Sequence, residues 1–263
     1  MRLRIQTHLL YETTPPCDLL LQIEALSDDM QWCQDARLDF DDVSTGVMVT
    51  SENGLGIRRW VQPGPRFECY YDVIVEVTRE AIDIARLSQT HYSEIPSDVI
   101  KYLMPSRYCH SDQFLDFVSA DFGDLSGGAK VVGMCRWIGE NFTYDSGASY
   151  SGTTASDSFA SLKGVCRDYA HVLISFARAA GIPARFVSVY APDVTPQDFH
   201  AVVEVYLDGG WHLLDPTGMA KPDQIARICV GRDAADAAFI MSYGRIDMVA
   251  QQITVTRIPM LHQ

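Results

Sequence analysis

Residues 161–183 read SLKGVCRDYAHVLISFARAAGIP, and residues 199–217 read FHAVVEVYLDGGWHLLDPT. In the first stretch, Ala170, Leu173, Ile174 and Ala177 recur at i, i+3, i+4 and i+7, the spacing of one helix face. Gly181 ends the run and Pro183 stands just beyond it, the usual signature of a helix C-terminus. Cys166, two residues after Gly164, therefore opens the helix. The unpaired N–H groups and the positive macrodipole end at a helix start favour an anion, and the anionic thiolate is the reactive form of cysteine.

The second stretch reads as a hairpin. Residues His200 to Leu207 alternate, Asp208-Gly209-Gly210 signals a turn, and Trp211 to Leu214 is an apolar return strand. His200 opens the first strand, Asp215 closes the second, and Pro216 stops it. Cysteine, histidine and aspartate can act as nucleophile, base and orienter of the base, so Cys166, His200 and Asp215 are the expected catalytic set. Direct contact of His200 with Asp215 across the ladder requires pairing centred between Leu207 and Asp208. A tight Gly209-Gly210 turn would instead set Asp215 opposite Glu204, four residues or about 13 Å along the strand from His200. The triad thus predicts a displaced turn, a bulge or a strong twist. His171 lies further along the nucleophile helix and His212 points to the strand face opposite Asp215, so both are read as structural. Asp168, in the first helical turn, suits the helix dipole and a backbone cap.

Four of these segments resemble the bacterial branch of the transglutaminase-like superfamily, whose members include cysteine-protease-like proteins. They are Gly-Val-Cys-Arg-Asp-Tyr-Ala (164–170), Gly-Ile-Pro-Ala-Arg (181–185), Phe-His-Ala (199–201) and Trp-His-Leu-Leu-Asp-Pro-Thr (211–217). The resemblance is close over roughly residues 106–235 and looser before them. It implies an α+β fold: an N-terminal antiparallel β-sandwich over 1–80, then a papain-like core over 81–263, with the C-terminal strand in the core. In that core a helix-borne cysteine packs on an antiparallel sheet. It implies thiol-dependent acyl transfer on peptide or protein amides through a thioester, of the peptidase, amidase or transglutaminase type. The oxyanion donor expected is the Cys166 backbone N–H, and Tyr144 is the candidate for a second. Two other readings compete. Arylamine N-acetyltransferases share the Cys-His-Asp order but carry the cysteine in Arg-Gly-Gly-x-Cys near the chain start, where this chain has Leu-Lys-Gly-Val-Cys at 162–166. A non-catalytic binding module could also keep the fold.

Composition narrows the partners. The 263 residues carry a formal charge of −13 and are 47% hydrophobic, enough apolar content for a core and the wrong sign for nucleic acid or an anionic membrane surface. Seven cysteines are scattered without C-x-x-C spacing, which predicts reduced thiols in a cytoplasmic protein. The amino terminus turns polar too early for a secretion signal, and no apolar run is long enough for a membrane span. Cys109-His110 and the trio His8, Cys17 and Cys33 lack metal-ligand spacing, and no acidic cluster has calcium-loop spacing, so no metal or other cofactor is expected.

Along the chain, residues 1–78 read as short alternating strands separated by turns at Pro15-Pro16, Ser27-Asp28-Asp29, Glu52-Asn53-Gly54 and Pro63-Gly64-Pro65. A connector over 79–112 holds one short helix, Val99 to Leu103. Helices follow over 113–121 and 127–142, with Cys135 on the apolar face of the second. The polar loop 145–154 either borders a cleft or is solvated slack. Strands are expected at 184–190 and 252–258.

Overall fold

The computed structural model describes residues 1–40 and 46–259. From the amino end run β1 (Arg2–Thr13), β2 (Leu19–Leu21), β3 (Gln31–Phe40), β4 (Val47–Thr50), β5 (Ile57–Val61) and β6 (Arg66–Val77). A connector of short 3-10 turns leads to α1 (Leu115–Phe122), α2 (Gly127–Asn141), β7 (Thr143–Tyr144), α3 (Ala155–Ser161), β8 (Lys163–Gly164) and α4 (Cys166–Ala179). The rest is strand: β9 (Ala184–Tyr190), β10 (His200–Leu207), β11 (Gly210–Leu214), β12 (Ala226–Gly231), β13 (Ile240–Ser242) and β14 (Ile246–Ile258). The expected α+β class holds.

Two four-stranded sheets, ordered β14-β1-β6-β3 and β13-β2-β5-β4, make the N-terminal sandwich. Period-2 alternation drives it. Leu3, Ile5, Leu9, Tyr11 and Thr13 of β1 are buried, whereas Arg4, Gln6 and Glu12 between them face water. The C-terminal strand departs from expectation. It does not close the core but pairs with β1 along its length, from Ile258 opposite Arg2 to Ile246 opposite Thr13. β14 continues the sheet and becomes its outer strand. Its pairing satisfies the second side of β1, and its alternating Ile253 and Val255 bury apolar area against the sandwich core.

The core sheet is ordered β11-β10-β9-β12, all antiparallel, and every residue of β9, β10 and β12 is buried. Helix α4 lies across it. The predicted face of Ala170, Leu173, Ile174 and Ala177 is wholly buried, but burial runs without a break from Asp168 to Arg178. The far side is covered by aromatic rings: Phe176 packs against Phe114, Phe117, Phe122, Trp137 and Phe159. Burying each side chain of this size contributes about 1.5–3 kcal/mol, so α4 is fixed from both sides. Its C-terminus is a Schellman cap: Ile182 N–H donates to the Ala177 carbonyl and Gly181 N–H to that of Arg178, both at 2.9 Å. Gly181 has φ of 73° there, and a β-carbon at that position would sit 2.0 Å from the Tyr92 hydroxyl.

Three local expectations change. The connector has no α-helix; Ile100–Leu103 is a 3-10 turn, too short to bury an amphipathic face. The helix expected over 113–121 begins as a 3-10 turn, Ser111–Phe114, before α1. Helix α3 was not anticipated, although Thr154 and Asp157 form a reciprocal capping box at its start.

Candidate active site

Cys166 is the first residue of α4 and partly exposed. Gly164 and Asp168 set that helix start. The Asp168 carboxylate accepts from the Val165 N–H at 2.9 Å, and Asp168 is completely buried. A β-carbon on Gly164 would approach Asp168 Cβ to 2.6 Å, so only glycine lets the chain pass this cap. The strand β8 that precedes the helix pairs in parallel with β7, setting Tyr144 beside Gly164. Tyr144 is thereby close enough to Cys166 to feel its charge. Burial, then the charge of Cys166, push its ionisation up to about 12, so it is a protonated donor at neutral pH.

His200 and Asp215 converge from the core hairpin. His200 Nε2 lies 3.0 Å from Asp215 Oδ2, with 1% and 2% of the two side chains exposed. The turn is Asp208-Gly209, with φ of 46° and 72°, and Leu207 pairs with Gly210. Val203 then faces Leu214, which brings the projected register of Asp215 to Val202. The centre is therefore neither that of direct contact nor that of a Gly209-Gly210 turn. The remaining offset is two residues, on the face His200 shares. β11 stops at Leu214, and the turn of Asp215 to Gly218 swings the carboxylate across the gap.

That turn also holds the carboxylate. Asp215 Oδ1 accepts from Thr217 N at 2.9 Å and Thr217 Oγ1 at 2.7 Å, and Oδ2 accepts from Ala220 N at 2.8 Å as well as from His200. Burial opposes the charge, but His200 and Thr217 outweigh it and hold Asp215 below the usual carboxylate range. Burial likewise opposes an imidazolium at His200. The Asp215 hydrogen bond and the Cys166 thiol overcome it and raise the ring to about 10. Nε2 faces Asp215, and the buried Nδ1 has no hydrogen-bond partner among the described residues.

Cys166 and His200 open into one cleft of about 490 Å³. Its walls include Tyr108, Ser151, Phe199 and the run Phe239 to Ser242. Ser151 brings the polar loop after Tyr144 to the cleft rim. The Ala-rich segment after Gly231 also reaches the cleft, through Ala234, Ala235, Ala237 and Ala238. Buried Asp233 joins the two walls by accepting from the backbone N–H of Tyr108 at 2.9 Å and of Ala235 at 2.9 Å.

Neither His171 nor His212 lines the cleft. His171 stacks on Tyr108 and accepts from Ala234 N–H at 3.2 Å; burial, then Arg167 and Arg178, keep it neutral. His212 Nε2 lies 3.0 Å from the Leu207 carbonyl inside the hairpin. Cys109 and Cys135 are pushed up to about 12 by burial, which leaves them protonated and unreactive. Among the described residues, no three His, Cys, Asp or Glu side chains gather closely enough to hold a metal ion. Sequence reasoning missed Thr217 and Ala220; the Asp-Pro-Thr-Gly run was a turn signal that could have pointed to them.

Residues 118–216 match the model of the transglutaminase-like superfamily, a span that takes in Cys166, His200 and Asp215. The whole fold superposes with a TM-score of 0.94 on the crystal structure of a "putative cysteine protease" from Cytophaga hutchinsonii. That match is 29% identical in sequence and covers 100% of this chain and 92% of that one. An uncharacterized protein of Mycobacterium leprae is 31% identical over 117 residues, 41% of this chain and 42% of its own length. The chain thus matches less than half the length of that curated relative. Residues 118–216 are accordingly a transglutaminase-like domain, and the chain that carries it shares its fold from end to end with the Cytophaga protein.

Proposed function

We propose that the protein catalyses thiol-dependent acyl transfer on peptide or protein amides. The observation that carries this reading is one cleft that holds a helix-tip cysteine and a histidine whose far nitrogen is bound by a buried, four-bonded aspartate. His200, held as an imidazolium at neutral pH, stabilises the Cys166 thiolate across the pair. The thiolate attacks the amide carbonyl. The developing oxyanion is met by the Cys166 backbone N–H, with the Tyr144 hydroxyl as the second donor. Collapse breaks the C–N bond as His200 gives its proton to the departing nitrogen, and a thioester remains on Cys166. Neutral His200 then takes a proton from water or an acceptor amine, whose attack releases the acyl group and restores the thiol pair. Asp215 holds the ring in the orientation both steps need.

No helix among the described residues is long and apolar enough to cross a membrane. Seven free cysteines support a reducing, cytoplasmic setting, and the net charge of −13 favours a protein substrate over a nucleic acid. The test is turnover of a casein digest, followed by mass spectrometry in normal and heavy-oxygen water, with and without a primary amine. Wild type is expected to produce new carboxyl or substituted amide products, and Cys166→Ser none. Equal product from both proteins rejects the assignment.

A further inference from the structure

The cleft that holds Cys166 is walled on one side by a strand with an open edge. Among the described residues β13 ends its sheet and pairs with β2 alone, Ile240 opposite Leu21 and Ser242 opposite Leu19. Antiparallel pairing alternates, and the flanking bonds fix its phase. Gln22 N–H donates to the Phe239 carbonyl at 2.8 Å and Tyr243 N–H to that of Asp18 at 2.8 Å. The odd-numbered residues therefore face β2, and the N–H and C=O groups of Ile240 and Ser242 point away from it. Among the described residues these four backbone groups have no partner.

The open edge faces the site. Ile240, Met241 and Ser242 line the same cleft as Cys166 and His200. Consecutive strand residues send side chains to opposite faces, so a cavity bordered by all three abuts the edge of the strand rather than one face. Unpaired donors and acceptors at strand spacing are satisfied by another extended chain.

We propose that β13 is a docking strand for the substrate: an extended peptide adds to its free edge, pairs with the backbone of Ile240 and Ser242, and thereby lays its carbonyl against Cys166. This rests on the acyl-transfer reading and sharpens it to unfolded or extended peptide segments. It also gives the sandwich a task, because β13 is held by β2 of the N-terminal region. Recognition through main-chain groups is tolerant of side-chain sequence, with the flanking cleft walls setting what fits.

The test uses Cys166 alkylation, which needs no natural substrate. The probes are acetyl-tetraalanine chloromethyl ketone, two analogues N-methylated on alternate amides, and iodoacetamide. Adducts are located by mass. N-methylation in one of the two registers is expected to slow Cys166 alkylation about two- to tenfold for each hydrogen bond lost. The other register should be harmless. Ser242→Pro removes an outward N–H and leaves the β2 ladder intact, since proline is tolerated where a strand N–H faces outward. It should erase part of the advantage of the unmethylated probe, read on each variant as the ratio of the peptide-probe rate to the iodoacetamide rate. Ile240→Pro is the second such variant, and thermal unfolding checks both. Equal rates for all three peptide probes on a Cys166 that still reacts with iodoacetamide would overturn the docking strand alone. An inert Cys166 with all four reagents would instead overturn the acyl-transfer reading beneath it.

Discussion

The sharpest consequence of the site geometry concerns Asp215→Asn. The asparagine keeps the shape and loses the charge, and one of its terminal atoms becomes a donor. Oδ1 faces two donors from Thr217, and Oδ2 faces Ala220 N–H and His200. Either amide orientation therefore sets an NH₂ group against donors. If the oxygen stays on the Thr217 side, His200 loses its acceptor. A hydrogen bond to a charged group contributes about 1.5–3 kcal/mol, which is a factor of about 10 to 150 in the balance between thiolate–imidazolium and thiol–imidazole forms. Burial already opposes the imidazolium, so without Asp215 the ring drops from about 10 by about one to two units. The assay is the pH dependence of iodoacetamide alkylation, read by mass on the Cys166 peptide between pH 5 and about 9. At pH about 6 the variant should react up to about 150-fold more slowly, the difference narrowing as pH rises and the thiol ionises alone. Superimposable profiles for wild type and variant would refute the claim that Asp215 controls the pair.

Other outcomes follow from the same contacts. Tyr144→Phe should lower amide turnover by about 10² to 10³ if the hydroxyl is an oxyanion donor, with little change in iodoacetamide labelling; loss of both in parallel would instead assign it to the thiol. Glu204 bridges Arg185 at 2.6 Å and Arg227 at 2.9 Å in the buried core, so Glu204→Gln should cost about 3–5 kcal/mol in denaturant unfolding by leaving the buried Arg185 without a carboxylate, while Arg227 keeps Asp28. Gly164→Ala should destabilise by about 1–3 kcal/mol, because the new methyl displaces the Asp168 cap. His200 is raised in the folded state, so its stabilising contribution is full below its unfolded pKa of about 6.5 and is lost as pH climbs through about 10. Melting temperatures of wild type and His200→Ala should therefore converge at alkaline pH.

Helix α4 and the hairpin were legible because each carried local signals: period, cap glycine, proline stop and turn. The register of the hairpin was not. Asp208-Gly209-Gly210 permits two tight turns that differ by one residue, and the choice of Asp208-Gly209 depends on Asp208 tolerating φ of 46°. The partner of the C-terminal strand was equally hidden, since Ile246–Ile258 pairs with the opposite end of the chain and such contacts leave no spacing signal. The pairing of β7 with β8 is two residues long, too short for any pattern, yet it sets Tyr144 against Cys166. The edge of β13 emerged only once its neighbour in the sheet was known.

Acylation by p-nitrophenyl acetate tests the central claim most directly. Cleavage after Lys163 and Arg167 isolates Gly164-Val165-Cys166-Arg167, a peptide with a single cysteine. We predict one acetyl group on that peptide, formed rapidly in wild type and lost in His200→Ala. Acetylation spread over other cysteines while this peptide stays unmodified would contradict the account.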